Sequence, residues 1–143
     1  MSEIVSAARC WIGTPYVHQA ARRQVGCDCL GLLRGVWAEI SGLPLEPVPP
    51  YTADWSEAQG EETLHLALAS RLVARQLDQP QVGDVLVFRM RQGAVAKHVG
   101  LQAEVGQRPS FIHAYQGHGV IESAFTQPWQ RRIVARFAAP NWD

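Results

Sequence analysis

Three thiols and five imidazoles carry most of the reactive chemistry in this 143-residue chain. The thiols are Cys10, Cys27 and Cys29. The imidazoles are His18, His65, His98, His113 and His118. A cysteine attacks as its thiolate, and a helix N-terminus favours that charge through unpaired N–H groups and its dipole. Cys29 sits where the first turn of a helix is expected, which makes it the candidate nucleophile. The ordinary alternative is a buried structural thiol. Such a nucleophile needs a base that takes its proton near neutral pH, usually histidine, and the base needs a third group to fix its tautomer. His98 falls near the start of one expected strand and His113 late in the next. If those strands form a hairpin around Gly106, an odd position sum puts both imidazoles on one face, directly opposite or one diagonal apart. An even sum separates them.

The remaining polar groups rank lower. His18 follows the Gly13-Thr14-Pro15-Tyr16 turn and is placed to line a cleft. His118, between Gly117 and Gly119, reads as an exposed turn tip, and His65 as a solvated helix residue. Cys27, Cys29, His98 and His113 offer two sulfurs and two nitrogens to zinc. Cys-x-Cys is not the usual pair spacing, however, and no second cysteine pair exists, so no metal ligand is assigned. Trp11 and Tyr16 flank the first turn as possible groove walls. Core packing is the alternative for Trp11, while the Tyr16 hydroxyl needs a partner if buried. Asp84, after Gly83, reads as a turn cap.

These residues need elements to hold them. Ser2 to Ile12 has apolar residues at helical spacing, with Ser2 as cap and Gly13 as stop. Cys29 to Ile40 is apolar on most faces, the pattern of a buried central helix, with Asp28 to cap it and Gly42 and Pro44 to end it. Residues 44–60 read as a loop, and Glu61 to Leu77 as an amphipathic helix. Strands are expected at Asp84–Phe88, Ala96–Glu104, Pro109–Tyr115, Gly119–Ser123 and Arg132–Phe137. Gly26-Cys27-Asp28 enters the central helix without a preceding strand, so no βαβ unit is expected. Helices first and strands last predict an α+β fold, N-terminal helices packed on a C-terminal antiparallel sheet of about five or six strands.

The bulk composition agrees with one globular domain spanning 1–143. Apolar residues make up 47% and charged residues 18% of the chain. Thirteen basic residues balance thirteen acidic ones, which removes the electrostatic footprint of a nucleic-acid binder. No apolar run reaches the roughly 18 residues of a membrane span, and Met1-Ser2-Glu3 does not begin a secretory signal. The odd, low cysteine count argues for free thiols and against a disulfide scaffold.

Four stretches in order carry a resemblance. They are Trp11-Ile12-Gly13-Thr14-Pro15-Tyr16, Asp28-Cys29-Leu30-Gly31-Leu32, Pro80-Gln81-Val82-Gly83-Asp84-Val85 with Phe88, and His98-Val99-Gly100 followed by His113-Ala114. Together they resemble the NlpC-type, papain-like cysteine peptidases that cleave bacterial cell-wall peptides. The resemblance implies a papain-like α+β fold with Cys29 as nucleophile on the central helix, His98 as base and His113 as the group that orients it. It implies that Tyr16 binds substrate, with Asp28, Trp11 and His18 as further substrate-site residues, and that no metal or organic cofactor is required. The implied activity is cleavage of peptidoglycan stem peptides through a thioester, at the D-glutamyl–diaminopimelate bond. Leu30 stands where the family usually has Ser, and His18-Gln19-Ala20 replace glycines that often follow the turn. The compact chain is similar to a subgroup carried on phage or gene-transfer-agent tails. That implies tail-protein partners, synthesis in the bacterial cytoplasm without a signal peptide, and action at the periplasm or wall in a virion-like particle. Two other readings stay open: a catalytically silent tail-tip adaptor, and an amidase using the same thiol.

Overall fold

The computed structural model describes residues 2–45, 51 and 60–139. The expected 44–60 loop therefore lies outside the described residues, apart from its ends and Tyr51. Four helices and eight strands are described: α1 (Glu3–Arg9), β1 (Ala21–Arg22), β2 (Gly26–Cys27), α2 (Cys29–Ser41), α3 (Thr63–Ala69), β3 (Ala74–Arg75), β4 (Val85–Arg89), β5 (Ala96–Glu104), β6 (Ser110–Tyr115), β7 (Gly119–Ala124), α4 (Gln127–Gln130) and β8 (Ile133–Phe137). A six-stranded antiparallel sheet runs in the order β3-β8-β4-β5-β6-β7. The α+β expectation holds, helices leading and the sheet following.

Two expectations fail locally. The helix drawn to Leu77 stops at Ala69, because Ala74 and Arg75 pair with Phe137 and Arg136 and become the sheet's sixth strand. Tertiary pairing overrides the helical periodicity there. A strand also precedes α2: Ala21 and Arg22 pair with Cys27 and Gly26 as a two-stranded ribbon.

Strand alternation gives the sheet two apolar faces. On one, Val85, Val87, Val99, Leu101 and Ile112 join the core built by α1, α2 and α3. On the other, Leu86, Phe88, Phe111 and Phe125 form a second cluster, with Trp129 and Ile133 against it. A buried polar knot ties the sheet together. The Asp84 carboxylate accepts from Arg75 Nε at 2.9 Å, Arg136 Nη1 at 3.0 Å and the Gln81 amide at 3.0 Å. Asp84 caps its turn as expected, but it is also the acceptor for two cations.

Small residues let α2 lie close to its neighbours. A Cβ on Gly35 would stand 2.1 Å from Trp11 Cη2, and one on Gly31 would stand 1.8 Å from the Ala20 carbonyl oxygen. Trp11 is 2% exposed and fills this seam. That corrects its expected place in a substrate groove: its ring is spent on helix packing.

Candidate active site

Asp28 is the N-cap of α2, in extended conformation, its side chain accepting from the Gly31 amide at 2.7 Å. The same carboxylate accepts from the Gln19 amide at 2.7 Å and from the Tyr51 hydroxyl. It is 1% exposed, so it organises the loop before α2 and presents no surface to a ligand, contrary to its expected substrate-binding role. That loop is pinned further. The Cys27 amide donates to Pro15 O and the Val17 amide to Cys27 O, both at 3.0 Å, while the Asp28 amide donates to Ala20 O at 3.2 Å. These bonds set Tyr16 beside Cys27 and deliver Cys29 at the first helical position.

Cys29 is buried, and its Sγ lies 4.0 Å from the Lys97 carbonyl oxygen. Lys97 is the extra residue of a bulge: Phe88 opposes His98, yet Arg89 opposes Ala96. The amides of Val99, Leu30 and Cys29 itself also act on the sulfur. The thiol is thus seated against the strand segment that carries His98, where that strand's ladder is interrupted.

The histidines meet as the odd register requires. Leu101 pairs with Ile112 and Gln102 with Phe111, so His98 and His113 share a face one diagonal apart. His98 Nε2 and His113 Nδ1 are 2.7 Å apart. These nitrogens point at each other rather than at a common ion. His113 Nε2 is 2.9 Å from Ser123 Oγ on β7. Trp129 covers the pair, its ring centroid 5.8 Å from that of His98 and 5.2 Å from that of His113. Phe88, Phe111 and Tyr115 complete the surround.

The electrostatics differ from what helix position alone suggests. Burial, and then the Asp28 charge, push the Cys29 thiol up to about 12, against the lowering effect of the three amides. Burial, and then His113, hold His98 well below the usual imidazole value. The resting pair is a neutral thiol and a neutral imidazole, in place of the expected dipole-stabilised thiolate. Tyr16 is half-buried and pushed up to about 12 by burial and then by Cys29, Asp28 and Cys27, a sign of its closeness to both thiols.

His18 is partly exposed, with Nε2 3.0 Å from Tyr51 O and Nδ1 3.7 Å from Asp28 Oδ2. His118 is exposed at its turn, as expected, and its ring stacks on Tyr115 at 5.2 Å. His65 is half-buried against Phe137 rather than free in solvent. The structure therefore gathers Cys29, His98 and His113 around one strand segment, with Tyr16 and His18 nearby, and removes Trp11. Tyr51, Ser123 and Trp129 enter as unforeseen members. Ser123 was within reach of the strand-parity argument; Tyr51 carried no local signal.

An α+β fold with a buried thiol at a helix N-terminus beside a histidine pair defines a small class of proteins, and the comparisons narrow it. Residues 13–137 match the NlpC/P60 family, and the chain belongs to that family. It is 29% identical over 132 residues to the gamma-DL-glutamyl hydrolase of Bacillus subtilis, a match covering 92% of this chain. The chain spans only 27% of that protein's length. Among solved structures, the NlpC/P60 domain of the peptidoglycan hydrolase SagA superposes with a TM-score of 0.65 at 23% identity, covering 96% of this chain and 99% of that one. A lipoprotein-like NLP/P60 protein of Staphylococcus aureus gives 0.62 at 21% identity, over 96% of this chain and 41% of that one. At these identities the structures share the fold.

Proposed function

We propose that the protein is a cysteine endopeptidase acting on peptidoglycan stem peptides, with Cys29 as nucleophile, His98 as general base and His113 as its orienting partner. The observation that carries this reading is the thiol seated against the segment of β5 whose His98 is held by His113 at 2.7 Å. His98 Nε2 is committed to His113, which leaves Nδ1 to take the proton from Sγ. The sulfur attacks a peptide carbonyl and a tetrahedral oxyanion forms, with the Cys29 amide at the helix start as a donor to it. His98 then protonates the leaving amine, and water releases the acyl group from the thioester. Tyr16 and His18 flank the thiol on the side of the 13–28 loop, the place for substrate binding.

We take the bond to be the γ-linked D-glutamyl–diaminopimelate bond, supported by family membership and by a relative named for γ-glutamyl hydrolysis. Delivery to the wall by a phage or gene-transfer-agent tail is part of the same proposal and rests on the sequence resemblance alone. The test is mass spectrometry of muropeptides after incubation with wild type and with Cys29→Ala, in reductant and chelator. A cleavage product from wild type alone is expected, and its mass identifies the bond. Retained cleavage by Cys29→Ala overturns the mechanism. No product from either, across several wall chemistries, favours a catalytically silent tail adaptor.

A further inference from the structure

We propose that Ser123 is a positioning residue for the base: its hydroxyl oxygen accepts the Nε2–H of His113 and thereby holds His113 in the tautomer that accepts from His98. The inference rests on the thiol-hydrolase reading above and extends it by one strand.

The argument is one of proton counting. His98 Nε2, His113 Nδ1, His113 Nε2 and Ser123 Oγ form an unbroken chain with gaps of 2.7 and 2.9 Å. Each neutral imidazole carries one N–H and one lone pair. The chain therefore has two self-consistent arrangements. In the first, His98 donates from Nε2 to His113 Nδ1, and His113 donates from Nε2 to Ser123 Oγ. In the second, Ser123 donates to His113 Nε2, His113 donates from Nδ1 to His98 Nε2, and His98 carries its proton on Nδ1. Only the first leaves a lone pair on His98 Nδ1, the nitrogen that must take the thiol proton. In the second the base is blocked.

Burial decides what happens when Ser123 is removed. His113 has no exposed surface, so an Nε2–H there without an acceptor is costly, whereas an idle lone pair costs less. Losing the hydroxyl thus shifts the chain toward the blocked arrangement. Ser123 is half-buried, which lets its own O–H turn outward while the oxygen accepts. The groups that face His113 are His98 on β5, Phe111 and Tyr115 on β6, Ser123 on β7 and Trp129 on α4, with His118 acting on it electrostatically. A neutral hydroxyl in that company orients the ring without holding a proton on it, as a carboxylate would.

The first readout needs no variant. Nitrogen NMR of the wild-type protein, labelled in histidine, reports which ring nitrogen carries hydrogen. Both His98 and His113 are expected to carry it on Nε2 near neutral pH; a proton on His113 Nδ1 overturns the proposal. The second readout is kinetic. Ser123→Ala should lower kcat about tenfold with KM within about twofold, and a His113 Nδ1–H signal should emerge. Ser123→Thr, which keeps a hydroxyl on a strand, should restore both. Wild-type kcat and unchanged His113 nitrogens in Ser123→Ala overturn the proposal. Failure of the cysteine mechanism would show separately, as retained turnover in Cys29→Ala.

Discussion

Acid should destabilise the fold by an amount traceable to one imidazole. His113 is fully buried, and burial followed by the His118 charge lowers its pKa from 6.5 to about 4. His98 is lowered in the same direction, by burial and then by His113. An unfolded chain takes up both protons near the ordinary imidazole value, while the folded chain refuses them. Below pH 6.5 the unfolded state therefore binds more protons. The stabilisation is whole above that pH and drains away as pH falls toward the folded pKa. For His113 alone the loss between about pH 7 and about pH 4.5 is roughly 2.5 kcal/mol. Urea unfolding at both pH values measures it, with His113→Asn as the comparison. Asn Oδ1 stands where Nδ1 accepts from His98 and does not titrate. Losses from the Arg9–Glu122 pair, whose carboxylate Arg9 holds low, occur in both proteins and cancel. Wild type should lose about 2.5 kcal/mol more than the variant over this interval. Equal losses in the two proteins would refute the reasoning.

Three further outcomes follow from packing and charge. Gly31→Ala drives a Cβ to 1.8 Å from the Ala20 carbonyl, so thermal melts should show a loss of about 1–3 kcal/mol or more, with activity falling as the thiol loop is displaced. Asp84→Ala leaves Arg136, 3% exposed, as an uncompensated buried cation; urea titration should show a loss of about 3–5 kcal/mol, and a loss under about 1 would contradict the knot. Asp28→Asn keeps an N-cap acceptor but removes the charge that raises the Cys29 thiol. Iodoacetamide should therefore alkylate Cys29 about tenfold faster at mildly alkaline pH, and an unchanged rate would remove Asp28 from the account.

The catalytic candidates were legible because their signals are local or periodic. Asp28-Cys29 announces a capped helix start, and the tight Gly106 turn fixes the parity that unites His98 with His113. The same parity reaches Ser123. Phe111 opposes Ser123 across the β6–β7 hairpin, which puts Ser123 on His113's face one diagonal away, just as His113 stands to His98. Carried one hairpin further, the sequence argument finds it. Other features depend on distant partners. Nothing near Tyr51 indicates that its hydroxyl caps Asp28, 23 residues away. Nothing in Leu72–Arg75 outweighs helical periodicity until Phe137 supplies a strand to pair with. Trp11 could have faced core or groove. Gly35 settles it, since the absent Cβ is the space its ring occupies.

The neutral resting pair constrains how such a site would work. Helix position argues for a thiolate at Cys29, but burial and Asp28 outweigh it, and burial makes His98 a poor base. The proton therefore stays on sulfur until a reaction draws it off. Transfer to His98 creates an imidazolium inside an aromatic surround, a cost that a neutral neighbour must meet at that moment. The bond to His113 does so selectively. At rest it joins two neutral rings. Once His98 is charged it becomes charge-assisted and roughly twice as strong. A bond that strengthens only as the transition state forms lowers the barrier without deepening the ground state. That gain depends on His113 offering a lone pair at Nδ1, and hence on what holds its other nitrogen.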